Sequence, residues 1–185
     1  AASDVYKRQV QMEGLMRLKA MAKINLGLDV LGKREDGYHE VRMIMQTIRM
    51  YDILDIRKTR RPGIVLTTNL PFIPTDQRNL VYKAAQMLME EFDVEEGLSI
   101  KLRKFIPVAA GMAGGSSDAA AAFVGVNRMF HLGLTEEQLM ERAVKVGADV
   151  PYCIMRGTAL AEGIGEKLTR LPEVPKCYVL IGKPV

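Results

Sequence analysis

Residues 17–30 read RLKAMAKINLGLDV, an alternation without a break. Leu18, Ala20, Ala22, Ile24, Leu26, Leu28 and Val30 fall on one face; Arg17, Lys19, Met21, Lys23, Asn25, Gly27 and Asp29 fall on the other. A period of two over this length predicts a long, half-buried β-strand. It also sets Lys23 and Asn25 on the same face, roughly 7 Å apart along the strand. Downstream, Asp36-Gly37 supplies a turn, and Tyr38-His39 open a second β-like stretch through Ile48. Shorter strands are expected at 53–57, 64–67, 98–105, 158–161 and 177–181.

Helical spacing governs the segments between. Val81, Ala85, Leu88 and Phe92 recur at helical intervals across 80–92, as do Ala119, Phe123, Val126 and Phe130 across 116–130. Thr135-x-x-Gln138 reads as a capping box with Leu134 and Leu139 as its hydrophobic staple. That third helix is expected to end near Gly147, with Pro151 preventing continuation. Strands followed by strands mixed with helices predict an α+β domain, its helices packed on a largely antiparallel sheet. Residues 1–15 share no period with the rest of the chain and are read as an extension outside the fold.

Composition narrows the functional classes. The chain has 185 residues, of which 48% are hydrophobic, 26% charged and 6% aromatic, which excludes wholesale disorder and collagen-like structure. No apolar run is long enough for a membrane helix. Cys153 and Cys177 match no zinc or redox spacing, so a reducing setting is expected: the cytoplasm, or a plastid in a plant or alga. Of the net charge of +4, a concentration sits at Arg57, Lys58, Arg60 and Arg61. Without interleaved aromatics it reads as a solvated strand end rather than a nucleic-acid platform.

The chemistry is carried by residues 107–120, PVAAGMAGGSSDAA, between a strand and a helix. Small residues let a backbone approach a ligand closely, and glycines permit unusual dihedrals. Unpaired N–H groups at the following helix start carry about half a positive charge. Together they predict a phosphate site. No Gly-Lys-Ser/Thr follows the glycines, so this is not a Walker A loop, nor does it fit the dinucleotide fingerprint. Close helix–sheet packing is the alternative reading of the same small residues. Taken alone, Lys23 reads as a solvated strand lysine and Asp149 as a turn former.

This loop resembles the second motif of the GHMP kinases, the superfamily of galactokinase, homoserine kinase and mevalonate kinase. Residues 22–26 (AKINL), 33–39 (KREDGYH) and 147–151 (GADVP) narrow the resemblance to the branch that phosphorylates the 2-hydroxyl of a cytidyl-diphospho-methylerythritol in non-mevalonate isoprenoid biosynthesis. The resemblance implies the family's ribosomal-protein-like βαβ N-terminal fold over 16–165. It implies an ATP-phosphate loop made of Pro107, Val108, Ala109, Ala110, Gly111, Met112, Ala113, Gly114, Gly115, Ser116 and Ser117. Lys23 and Asp149 match the catalytic pair, Asn25 would line the acceptor pocket, and Tyr38 and His39 match residues that hold the cytosine. The implied partners are ATP, magnesium and the small-molecule acceptor, with no nucleic acid, no membrane and no resident metal centre. Other small-alcohol kinases of the superfamily, or more remotely a nucleic-acid-binding module, are the competing expectations. Family members carry a second α/β domain, so 166–185 reads as a stub leading to it, and this chain by itself is expected to be inactive.

Overall fold

The alternating segment forms β1 (Leu15–Lys33), which runs antiparallel to β2 (His39–Thr59) as a long ribbon. The computed structural model describes residues 14–182 apart from Arg34, Asp36 and Tyr38, so most of the proposed N-terminal extension lies outside the described residues. β3 (Ile64–Thr68), α1 (Leu80–Glu91), β4 (Gly97–Arg103), α2 (Gly114–Met129), α3 (Glu136–Ala143), α4 (Val150–Met155), β5 (Thr158–Gly163) and β6 (Lys167–Arg170) come next in chain order. One six-stranded sheet results, in the order β3-β4-β2-β5-β6 with β1 also on β2. Only the β3–β4 pairing is parallel among these strands. The fold is α+β, with helices on a largely antiparallel sheet.

β2 does the work of two strands. Residues from Val41 to Gln46 pair with β5, and those from Ile53 to Thr59 pair with β4, while β1 pairs along both portions. The two β-like stretches expected at 38–48 and 53–57 are therefore one bent strand. The bend falls where the β1–β2 register shifts between Met21↔Tyr51 and Lys23↔Thr47, leaving extra residues on β2. Bulges of this kind bend a strand and re-aim its side chains. The inward alternation of β1 holds for Leu18, Ala20 and Ala22, all fully buried, but Leu26, Leu28 and Val30 are each at least half exposed. Past the bend the ribbon leaves the core.

α2 packs on β1 and β2, flanked by α1 and α4. Its run Ala119–Ala120–Ala121–Ala122 is buried together with Phe123, and these join Leu54, Ile56, Leu98 and Ile100 in one core. Small residues let this helix lie close to the sheet. Gly125 marks the tightest approach: a Cβ there would meet Ile56 Cδ1 at 2.5 Å and Leu18 Cδ1 at 2.6 Å. The capping box at Thr135 and Gln138 is present, and α3 is shorter than expected. α4 and β6 were not anticipated, and residues 177–181 form no strand. β6 pairs with β5, so the sheet continues through Arg170.

Gly125→Leu should destabilise the domain by about 1–3 kcal/mol through overpacking. Gly27→Ala, where nothing lies within 4 Å of the added carbon, should change stability by less than about 0.5 kcal/mol. Urea unfolding of the two variants measures the contrast.

Candidate active site

Lys23 sits at the bend of the ribbon. Its residue is 4% exposed although it occupies the polar face of the alternation. Its backbone N–H donates to the Met112 carbonyl at 3.2 Å, tying β1 to the glycine-rich loop. Its ammonium donates to Asn25 Oδ1 at 3.0 Å and lies 3.5 Å from Asp149 Oδ2. The expected same-face pair of Lys23 and Asn25 is thus drawn into direct contact.

Asp149 stands immediately before α4, and its side chain makes no cap hydrogen bond. The carboxylate is free of the turn-forming duty that its position suggests and instead faces Lys23. Tyr152 fixes α4: its hydroxyl donates to the Gly157 carbonyl at 2.7 Å and lies 3.0 Å from Thr47 Oγ1, which accepts the Gly157 N–H at 3.1 Å. Because Thr47 is the cross-strand partner of Lys23, this network places Asp149 relative to the bend. Arg156 adds a second tie, donating to the Lys19 carbonyl at 2.6 Å.

The loop between β4 and α2 alternates in hand. Ala109, Gly111 and Ala113 have φ of 57°, 72° and 53°, while Ala110 and Met112 lie outside that region. Alternation of this type turns successive N–H groups toward one side and makes an anion-binding concavity. Two of the three left-handed residues are alanines, a conformation that must be held by the surroundings. Ala113 is the N-cap of α2 and supplies no side-chain cap, so the first N–H groups of the helix have no side-chain acceptor there. Backbone, rather than side chain, therefore dominates the positive character of this site.

A cleft of about 240 Å³ is lined by this loop but by neither Lys23 nor Asp149. Pro107, Val108, Ala109, Ala110, Gly114 and Gly115 form one wall and Ile73, Pro74, Arg78, Asn79 and Leu80 the other, with Lys104 and Asp118 also lining it. Met112 joins the two regions, since its buried side chain lines the cleft while its carbonyl holds Lys23. Asn79 keeps the facing wall in place by accepting the Val81 N–H at 2.9 Å and donating to the Pro74 carbonyl at 2.8 Å. At the cleft mouth, Arg78 pairs with Asp76 and holds its carboxyl at about 2.

The remaining sequence candidates are spread further. Ser117 is buried, and its hydroxyl donates to the Met21 carbonyl at 2.6 Å, joining α2 to β1. Ser116 is only partly buried. His39 is exposed at the tip of the ribbon, paired with Lys33, well along β2 from Thr47. Tyr38 lies outside the described residues. In the basic cluster Lys58 is engaged, paired with Glu96 at 3.2 Å and set over the Phe130 ring. Sequence reasoning passed over Asp52, Lys104 and Asn69, which surround the start of the loop; a polar residue inside an apolar strand pattern is the signal that marks Asp52.

Comparison with known proteins bears on the family and the fold. The family model described as "GHMP kinases N terminal domain" matches residues 79–157. Over this stretch the chain carries the N-terminal domain of the GHMP kinases. Within them, it is 57% identical over 169 residues to the 4-diphosphocytidyl-2-C-methyl-D-erythritol kinase of Lachnospira eligens, covering 91% of this chain and 59% of that protein. The corresponding protein of Caldicellulosiruptor bescii is 56% identical, with 91% and 59% covered. A crystal structure of 4-(cytidine 5'-diphospho)-2C-methyl-D-erythritol kinase superposes with a TM-score of 0.74 at 35% identity, over 84% of this chain and 55% of that one. Homoserine kinase from Cytophaga hutchinsonii shares the fold at a TM-score of 0.69 and 19% identity, over 88% of this chain and 53% of that one. The chain thus spans somewhat under two thirds of the length of these relatives.

Cys153 lies under the site, 3.4 Å from Ser117 Oγ, and burial pushes its thiol up to about 12. Cys177 is exposed. Iodoacetamide at pH 8 should therefore modify the native chain once, on Cys177, and a second time only after denaturation. Peptide mass mapping checks this, and rapid native modification of Cys153 would contradict its placement.

Proposed function

We propose that this chain supplies the ATP-binding and phosphoryl-transfer part of a 4-diphosphocytidyl-2-C-methyl-D-erythritol kinase of non-mevalonate isoprenoid biosynthesis. The observation that carries this reading is one residue serving two purposes. The Lys23 amide holds the Met112 carbonyl of the phosphate loop at 3.2 Å, while its ammonium lies 3.5 Å from Asp149 Oδ2. A cation and a carboxylate are thereby fixed beside an anion-binding backbone.

Phosphoryl transfer asks chiefly for positioning and charge stabilisation. The loop residues from Pro107 to Ser117 and the start of α2 bind the nucleotide phosphates through backbone N–H groups. Asp149 accepts the proton of the acceptor 2-hydroxyl as the oxygen–phosphorus bond forms. The bond between the γ-phosphorus and the β,γ-bridging oxygen breaks, and ADP departs with that electron pair. Lys23 balances the negative charge on the transferring group, and Asn25 orients its ammonium. His39 and Tyr38 are assigned to the cytosine. Since His39 lies along the ribbon from Lys23, the acceptor would lie lengthwise on β1 and β2.

No group of three or more metal-binding side chains is found among the described residues, and the hydroxyl of Ser117 is directed to a carbonyl. A magnesium ion would arrive on the phosphates of ATP, shielding their charge, as is usual where only one or two protein ligands are at hand.

The 185-residue chain should bind ATP yet release negligible ADP in the presence of the cytidyl acceptor, because catalysis also needs the acceptor enclosed and held in line. Joining it to the C-terminal segment of the Lachnospira eligens relative should produce acceptor-dependent turnover. Substantial turnover from residues 1–185 alone would contradict this division. In the active chimaera, Asp149→Asn should lower kcat by about 10²–10⁴-fold while leaving ATP affinity within a few fold. Lys23→Met should also depress kcat strongly; steady-state kinetics and equilibrium ATP binding together check the assignment.

A further inference from the structure

Three buried charges that the mechanism leaves unused meet beneath the loop. Lys104, just after β4, donates to a carboxylate oxygen of Asp52 on β2 and, at 2.6 Å, to Asp118 Oδ2, immediately past the first turn of α2. All three residues are less than a tenth exposed. We propose that Lys104 is a positioning residue for ATP, a clasp that joins the two ends of the phosphate loop and holds the start of α2 in its anion-binding pose. The proposal rests on the reading of this loop as the ATP-phosphate site.

The clasp is anchored from every side. Asn69 grips the Lys104 backbone at two points, accepting its N–H at 2.8 Å and donating to its carbonyl at 3.2 Å. Asp52 Oδ1 accepts the N–H groups of Phe105 and Ile106, fixing the corner where the chain leaves β4. The ammonium then reaches across to Asp118, directly beyond Ser117 at the other end of the loop. Gly114, the first residue of α2, lies hard against it: an added Cβ would be 3.2 Å from Lys104 Nζ and 3.2 Å from Ile106 Cγ2. The left-handed alanines at 109 and 113 lie between these two fixed ends. Strained backbone persists only where the surroundings over-determine it.

Charge balance argues that Lys104 acts through the loop and does not itself hold phosphate. One ammonium faces two carboxylates, so it has no positive charge to spare for a third anion. Burial, and to a lesser extent the charge of Asp52, push the Asp118 carboxyl well up, while Lys104 draws it down less strongly. Asp118 Oδ1 is buried with no hydrogen-bond partner. A neutral amide at this position can keep the contact with Lys104 and removes a negative charge from below an anion site. The requirement is thus for a hydrogen-bond acceptor at position 118 and for an ammonium at position 104.

The test uses ATP titration calorimetry and hydrogen exchange on the 185-residue chain. Lys104→Met and Asp118→Ala should each weaken ATP binding at least tenfold and speed amide exchange across 105–117, leaving the protection of β4 and the middle of α2 unchanged. Asp118→Asn should bind ATP within threefold of the parent. Because Lys104→Met strands two buried carboxylates, the neutral triple variant Asp52→Asn, Lys104→Met, Asp118→Asn serves as the foldable counterpart and should also lose at least tenfold. If the parent chain binds ATP and the triple variant binds it equally well, the clasp is wrong while the ATP-site reading stands. Exchange rising uniformly over the whole domain, or Asp118→Asn as weak as Asp118→Ala, overturns the positioning role as well. Failure of the parent chain to bind ATP removes the site reading, and this inference with it.

Discussion

The change of partner along β2 is the constraint on which the rest of the structure depends. β2 passes from β5 at one end to β4 at the other while β1 runs beside both portions. Between the two portions the β1–β2 register shifts, and the shift takes backbone out of the regular ladder. The Lys23 N–H is consequently given to the loop carbonyl of Met112, and the Thr47 N–H to the Gly157 carbonyl at 3.0 Å. The loop and the segment carrying Asp149 are both docked on these displaced groups. A local irregularity in pairing, governed by which strands lie alongside, thus collects the candidate site from four separate stretches of chain.

Electrostatically, the site divides its work between backbone and side chain. Side-chain charges nearest the loop are largely neutralised by one another: Lys23 with Asp149, and Lys104 with Asp52 and Asp118. The unspent positive character resides in oriented N–H groups, which cannot swing away and carry no titrating proton. Preorganised dipoles of this kind need little reorganisation when charge develops. The formal net charge of the chain, +4, has little bearing on this arrangement, because its densest basic cluster lies at the far end of β2.

Much of this was legible in the sequence where a single period or a short-range motif governed the outcome. The alternation from Leu18 to Ala22, the capping box at Thr135 and Gln138, and the small-residue loop before α2 all depend on near neighbours. Misreadings arose where distant chain decided. Ile24 to Val30 continue the same alternation, yet most of that face is exposed because the core ends at the bend. The short helix α4 was masked by Pro151, read as a terminator although proline is also favoured in the first turn of a helix. The strand expected at 177–181 has apolar residues but no neighbouring edge. Asp52 stands out only as an acid on the same alternating face as Leu54 and Ile56; the fold alone brings Lys104 and two loop N–H groups to it.

The missing side-chain cap at Ala113 has a consequence for how this domain can be improved. Helices of this length usually complete their first turn with a serine, threonine, asparagine or aspartate, and gain about 1 kcal/mol from it. On the proposed reading the first turn is left open for phosphate, and a bound nucleotide would play the part of the capping residue. Stability and occupancy would then be linked: the loaded domain would be the better-formed one, with ligand raising its resistance to unfolding by mass action. A stabilising cap engineered into the chain would compete with the phosphate for the same donors. The position at which the helix is weakest is also the one where strengthening it would do most harm.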